Sequence, residues 1–531
     1  MSKRDAAPRS DTVPGEIVGR RECAAQMGRR QFLGMAGAGL GAMLLEQSLP
    51  AAYGAKPKRP PNIVFIVDDQ YRQDMRKFIP TPAADRLARE GITFRNSFST
   101  TPLCTPYRGM LMTGRYPTHS GIVLNWINAS PAQNPDCLAN VFDRGGYNTA
   151  LIGKWHLSAG IRVADGLYAS HPELEKAYRA EHPDSEFTPP GPDRLGFQFW
   201  QGYNFHVDYN HYWYYENEPK KIYSKSYETD TNIDQAIDYI EKHKDLDKPF
   251  LLYVAPHPPH APWIQRSLPA GYIDRVPKAA DLYRSPNAPK ENNPMDPEQL
   301  RIYLAMIMNF DDNLGRLMDY LDKSGASENT ILVFTADHGE MAGSHGRINK
   351  MVPFTEAVNV PLIMRWPGKI PAGAVSDVLY TPIDHLPTLC GLAGLSTPSM
   401  IDGEDLSAAV LGRSQSSRDC VLMANYTSHW DFFQTETLWP EWRGVHTGRY
   451  TYAKWLSGDE MLFDNQADPY QMHNLVGDAS ARATLTELRW RTKDLMITAH
   501  DDFLNGRQYA SWYDKDRNLL RTALGRVPCA T

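Results

Sequence analysis

Five short apolar runs constrain this chain most. They are Asn62–Val67 (NIVFIV), Asn148–Ile152 (NTALI), Pro249–Ala255 (PFLLYVA), Thr330–Ala336 (TILVFTA) and Val360–Trp366. Each is short for a helix and lacks the alternation of a strand with one wet face. Each therefore predicts a strand buried on both sides, as in a parallel sheet. Helical patterns separate them. Leu300, Leu304, Ile307, Leu314, Leu317 and Leu321 recur at helical spacing and predict an amphipathic helix over Pro297–Lys323, stopped by Gly325. Thr81–Glu90 predicts another, with Thr81 as its cap and Gly91 as its stop. This alternation predicts an α/β fold, a large sandwich around a mainly parallel central sheet.

The tail reads differently. From about Cys420, short aromatic segments such as Arg449–Trp455 and Glu460–Asp464 alternate with turn residues, and a helical stretch follows from about Ala481 to His500. A small antiparallel sheet plus a helix is expected there. Residues 272–297 are rich in Pro and Asn and predict a surface loop. The start of the chain reads as an address. Arg29-Arg30-Gln31-Phe32-Leu33 precedes an apolar Gly/Ala-rich run to Leu45, and small residues follow at Ala51–Ala55. This resembles a bacterial twin-arginine export signal and implies a periplasmic or secreted protein. The apolar run is short for a spanning helix and no second one occurs, so no stable membrane span is expected in the mature form. The expected boundaries are 1–55 for the leader, 56–420 for the main domain and 421–531 for the C-terminal subdomain. Formal net charge is −6 with no long basic run, which argues against nucleic acid as a partner. Besides Cys23 and Cys104, the cysteines Cys137, Cys390, Cys420 and Cys529 could form up to two disulfides.

Cys104-Thr105-Pro106-Tyr107-Arg108 sits at the start of a predicted short helix. Pro106 suits the first turn, Gly114 the stop, and Pro117 blocks continuation. Residue 104 would face the positive helix end with Arg108 one turn on, a place that stabilises an anion. A thiol there is a candidate nucleophile or metal ligand. Four polar motifs follow four of the strands: Asp68-Asp69-Gln70, Gly153-Lys154-Trp155-His156, Pro256-His257-Pro258-Pro259-His260 and Asp337-His338-Gly339. In an open α/β sheet the carboxyl ends of parallel strands share one edge, where ligands bind, so these motifs should converge. Asp68, Asp69 and Asp337 supply hard oxygen ligands suited to Ca²⁺ or Mg²⁺.

The Cys-x-Pro-x-Arg pattern, continued through Gly109-Met110-Leu111-Met112-Thr113-Gly114-Arg115-Tyr116-Pro117, resembles the signature of the type I sulfatases of the alkaline phosphatase superfamily. Leu462-Phe463-Asp464-Asn465-Gln466-Ala467-Asp468-Pro469 resembles that family's C-terminal subdomain. The resemblance implies a sulfuric ester hydrolase of arylsulfatase type. It implies that Cys104 is oxidised to formylglycine by a formylglycine-generating enzyme, and that a sulfated small molecule or glycan is the substrate. Asp68, Asp69, Asp337, His338 and modified residue 104 would bind the cation, with Ca²⁺ expected first and Mg²⁺ or another divalent ion admitted by the softer His338. Lys154 and Lys350 would hold the sulfate. Arg108 would brace residue 104, Asp69 would act as base in the attack, and His156 would take a proton from the hydrate. Both His257 and His260 fit the family's leaving-group acid. His260 is favoured because Trp263 follows Pro262. The alternative is a phosphonate monoester or phosphodiester hydrolase of the same superfamily, against which Lys154 and His156 argue. A non-catalytic glycan-binding protein on a degenerate scaffold is a third reading, and the complete motif set argues against it. The aromatic segment 196–215 suits either sugar stacking or a core, and Trp430, Trp439 and Trp442 are candidates for the rim of the cleft.

Overall fold

The computed structural model describes residues 59–160, 185–414, 416–429 and 440–527. The expected leader, Cys23, Trp430, Trp439 and Cys529 lie outside the described residues. Chain order gives β1 (Asn62–Asp68), β2 (Ile92–Phe94), β3 (Asn148–Lys154), β4 (Phe199–Tyr203), a two-stranded ribbon of β5 (Trp213–Tyr214) and β6 (Ile222–Tyr223), then β7 (Phe250–Ala255), β8 (Thr330–Ala336), β9 (Leu362–Arg365) and β10 (Ala374–Ser376). Eight of these strands form one sheet in the order β10-β2-β9-β8-β1-β7-β3-β4. The five strands from β8 to β4 are mutually parallel. The run expected at Val360–Trp366 is present as β9, but it runs antiparallel to both neighbours. Sequence reasoning missed β2, β4 and β10.

Both faces of the sheet are covered, which is why β1 is apolar throughout. Ile63, Phe65 and Val67 pack with Tyr107, Leu111 and Met112 of the helix Cys104–Thr113 and with Leu386 and Leu389 of the helix His385–Ala393. Val64 and Ile66 pack on the opposite face with Ile233 and Ile240 of the helix Glu228–His243 and with Leu304 and Ile307 of the helix Pro297–Lys323. That last helix has the bounds its periodicity predicts, and Asp296 caps it with Gln299 in a capping box.

The tail forms β11 (Val421–Asn425), β12 (Trp442–His446), β13 (Tyr450–Trp455) and β14 (Glu460–Asp464), an antiparallel sheet in sequence order. One face packs on the helix Arg482–Thr498 through Val445, Tyr452, Leu462, Leu485 and Leu488. The other packs Met423, Trp442, Ala453 and Phe463 against Leu103, Met351 and Val352. The small sheet thus supports the residues that flank Cys104 and Lys350. Trp442 is fully buried and donates its indole N–H to the Met351 carbonyl at 2.9 Å, so it belongs to this core and not to the rim of a cleft. Cys104, Cys137, Cys390 and Cys420 are all buried and free, so none of the disulfides their number allowed forms among them. Cys137 points its thiol at the Asn134 carbonyl, 3.0 Å away. No helix among the described residues is long and apolar enough to cross a membrane.

The ends of β1, β3, β7 and β8 lie side by side. Gly153, one residue before Lys154, takes φ +94°, and a Cβ there would meet the Ala255 carbonyl oxygen at 2.3 Å. Only glycine fits this close approach of β3 to β7. Gly153→Ala is expected to lower the thermal midpoint by about 1–2 °C or more, since a left-handed backbone with a Cβ costs about 1–2 kcal/mol before the clash is counted. Scanning calorimetry checks this, and an unchanged midpoint contradicts the geometry.

Candidate active site

The helix Cys104–Thr113 is entered from extended Leu103, and Gly114 ends it at φ +63°. Its first turn is tied to the sheet edge. The Thr105 N–H donates to Asn125 Oδ1 at 2.9 Å, and the Thr105 hydroxyl donates to the His156 carbonyl at 2.7 Å. Cys104 is 1% exposed, and its Sγ lies 3.2 Å from His338 Nε2 and 3.9 Å from Asp69 Oδ1. Burial, then Asp69, pushes the thiol up to about 11.

Asp68 ends β1, Asp69 and Asp337 follow β1 and β8, and all three are wholly buried. Such crowding is tolerable only with cations beside it. Arg108 donates to Asp69 Oδ2 at 3.2 Å and to Asp337 Oδ2 from Nε and Nη2 at 3.2 and 3.0 Å. Lys154 Nζ forms an ion pair with Asp69 Oδ2. Burial pushes the Asp69 carboxyl upward, but the Lys154 ammonium and the surrounding histidines together outweigh it and hold the group well below the usual carboxylate range. Burial and Asp69 raise Asp337 to about 7, and burial with Asp69 also raises Asp68 strongly.

The donor set fits a divalent cation. Asp68 Oδ2 is buried with no hydrogen-bond partner. One ligand atom each from Asp69, Cys104, Asp337 and His338 lies within 4.8 Å of all the others. His338 Nδ1 donates to the Gly339 carbonyl at 3.0 Å, so its Nε2 lone pair faces the carboxylates, 3.4 Å from Asp337 Oδ1. Burial keeps this ring neutral, as a metal ligand must be.

Beside the cluster stand two lysine–histidine pairs. His257 is wholly buried, donates Nδ1–H to the His206 carbonyl at 2.7 Å, and accepts from Lys154 Nζ at Nε2, 3.0 Å away. His260 is half-buried, donates Nδ1–H to the Ala261 carbonyl at 2.7 Å, and accepts from Lys350 Nζ at Nε2, 3.3 Å away. Burial and the adjacent lysines hold both rings neutral. His156 is buried with neither ring nitrogen bonded, and its ring packs against Trp126 and Phe205. The structure therefore brings together Asp68, Asp69, Cys104, Arg108, Lys154, His156, His257, His260, Asp337, His338 and Lys350.

Several neighbours were not singled out as site residues by the sequence. Phe205, half-buried in the aromatic segment, sits 4.8 Å from Lys154 Nζ and 4.9 Å from both His156 and His257, ring centre to ring centre for the histidines. Of the other aromatics of that segment, Tyr203, Tyr212, Trp213 and Tyr215 form a buried cluster of their own, while Phe197 and Trp200 join the core on one sheet face and Tyr209 the core on the other. Glu228 accepts the His257 N–H at 3.1 Å and the Tyr203 hydroxyl, fixing the loop that carries His257. Gln70 and Glu340 lie inside or beside the quoted motifs, but an amide and a lone carboxylate are too common to stand out.

A family model described as Sulfatase matches residues 61–395, and one described as N-sulphoglucosamine sulphohydrolase, C-terminal, matches 343–498. An ulvan-active sulfatase of Formosa agariphila is 33% identical over 464 residues, covering 86% of this chain and 84% of its own. An endo-4-O-sulfatase of Bacteroides thetaiotaomicron is 29% identical over 83% of this chain and 92% of its own. The solved YidJ sulfatase of Bacteroides fragilis superposes with a TM-score of 0.72 at 28% identity, over 86% of this chain and 99% of that one.

Glu228 gives a pH test independent of any cation. Burial raises its carboxyl from the ordinary 4.5 to about 8. The folded chain thus holds this proton more tightly than the unfolded chain does. The stability it contributes is full below the unfolded value and is lost as pH rises through about 8. Glu228→Gln is expected to flatten the fall in thermal midpoint between about pH 5 and pH 9. Parallel melting curves check this, and identical slopes contradict it.

Proposed function

The chain belongs to the sulfatase family and hydrolyses sulfate esters, and we propose that it does so with a formylglycine made from Cys104 beside a divalent cation held by Asp68, Asp69, Asp337 and His338. The observation that carries this reading is the buried meeting of Asp69, Cys104, Asp337 and His338 within 4.8 Å, with Lys154 and Lys350 alongside. When present, the cation supplies a Lewis acid for the sulfate oxygens and the hydrated aldehyde supplies the attacking oxygen.

The chain's own residues do the rest. Lys154 and Lys350 hold the nonbridging sulfate oxygens and offset the charge that develops on them. Asp69 Oδ2 is engaged by Lys154 and Arg108, which leaves Oδ1, 3.9 Å from Cys104 Sγ, to receive the proton of the attacking group. Arg108 braces residue 104 by fixing both carboxylates around it. His260 is the better donor to the departing oxygen, because it reaches the open side of the site, where Nε2 takes up a proton from water once the anionic ester offsets the lysine charge, while His257 is enclosed. His257 orients Lys154. His156, neutral and with both ring nitrogens free of bonds, takes up the proton that restores residue 104.

The relatives' names point to a sulfated glycan as the substrate, one an ulvan-active and one an endo-4-O-sulfatase. Calcium is the first choice of cation, on the strength of three carboxylates. We further propose twin-arginine export of a folded, modified protein to the periplasm or medium, a formylglycine-generating enzyme as its partner in maturation, and a division into 1–55, 56–420 and 421–531.

Cys104→Ser is expected to lose about a thousandfold or more in sulfate release, measured on sulfated oligosaccharides and an aryl sulfate. Peptide mass spectrometry of the parent from its native host should find the aldehyde at residue 104. Full activity with an intact thiol contradicts the reading. Chelation is expected to abolish turnover and lower the thermal midpoint, and added Ca²⁺ to restore both. Turnover that survives removal of all bound metal contradicts the cation assignment.

A further inference from the structure

The two site lysines are held in different ways. Lys154 Nζ is ion-paired with Asp69. Lys350 Nζ donates to Gln70 Oε1 at 2.8 Å and lies 3.3 Å from His260 Nε2. Both of these partners are uncharged, and no carboxylate among the described residues pairs with Lys350.

A carboxylate does stand one group further back. Glu340 Oε2 accepts from Gln70 Nε2, while Glu340 Oε1 accepts from the N–H groups of Ala342 and Asn349 at 3.0 and 2.8 Å. An amide side chain has one donor end and one acceptor end. Glu340 takes the donor end, so the acceptor end must face Lys350. The Gln70 backbone is pinned as well. It sits at φ +65°, its N–H donates to Asp337 Oδ1 at 3.1 Å, and its carbonyl accepts from the Tyr303 hydroxyl at 2.8 Å. Gln70 and Glu340 are wholly buried and Lys350 is 5% exposed, so water does little to screen this chain of contacts.

We propose that Gln70 and Glu340 are a positioning pair that tethers Lys350 through a neutral amide, so that its positive charge is held in place and left uncancelled for the substrate's sulfate. This rests on the reading of Lys350 as a sulfate-holding cation. A carboxylate in direct contact would fix Lys350 equally well but would neutralise it. The intervening amide passes on the orientation and withholds the charge. Glu340 also closes the loop from Ala342 to Asn349, so it sets both the backbone position of Lys350 and the direction of its ammonium.

Exchanging the two side chains separates this role from a structural one. The double variant Gln70→Glu/Glu340→Gln keeps one amide and one carboxylate in the same chain of hydrogen bonds but moves the charge onto Lys350. At about pH 8, where a carboxylate touching an ammonium is ionised, KM for a sulfated substrate is expected to rise about tenfold or more. Inhibition by inorganic sulfate is expected to weaken in step, with thermal midpoint and metal content at the parent's values. A folded, metal-loaded exchange variant with the parent's KM and sulfate inhibition overturns the proposal. Lys350→Ala is measured alongside. If it leaves KM and sulfate inhibition unchanged, the reading of Lys350 fails, and the proposal with it. If the exchange variant does not fold, Gln70→Met removes the tether without adding charge and is expected to lower kcat/KM about tenfold. An unchanged kcat/KM in folded Gln70→Met overturns the tether.

Discussion

Three buried carboxylates at one sheet edge set the terms for the rest of this molecule. Asp68, Asp69 and Asp337 are all excluded from water. Unpaired, they would repel one another and each would bear a large desolvation cost. Arg108 and Lys154 answer part of that charge, and both engage Asp69. The bare oxygen of Asp68 and the inward lone pair of His338 mark where a divalent cation answers the remainder. The same concentration of charge that threatens the fold makes the edge a place where an anionic ester and a cation can meet.

The architecture supplies the rigidity that this arrangement needs. Parallel strands β1, β7, β3 and β8 bring four motifs from distant parts of the chain to one line. The helix Cys104–Thr113 packs across one face and points its first turn at that line. The C-terminal sheet wedges Trp442 and Phe463 beneath Met351, next to Lys350. The small sheet thereby supports the backbone beside Lys350, opposite the carboxylates.

Much of this was legible in the sequence, because its signals are strong and local. A strand buried on both faces must be apolar throughout, so NIVFIV and TILVFTA declare themselves. The helix Pro297–Lys323 declares itself by its period and by Gly325 beyond its end. The motifs that end those strands follow from the rule that ligands gather at strand carboxyl ends. The misses have physical reasons. β2 and β10 are only three residues each, and β4 lies within an aromatic run whose residues serve as core here. The direction of β9 depends on how the chain returns from β8, which no local pattern encodes. Gln70, Glu340 and Glu228 act through hydrogen bonds to side chains and amides far away or across a loop, and nothing in their immediate sequence marks them. Cysteine number left up to two disulfides open, and the four described cysteines are free thiols.

The most direct test of the account is a crystal structure of the protein made by its native host, with anomalous diffraction collected for the bound metal. The account predicts one cation peak bounded by Asp68, Asp69, Asp337 and His338, and density at residue 104 for an oxidised side chain turned toward that peak. An active preparation with no metal among those four residues and an intact thiol at residue 104 would contradict it.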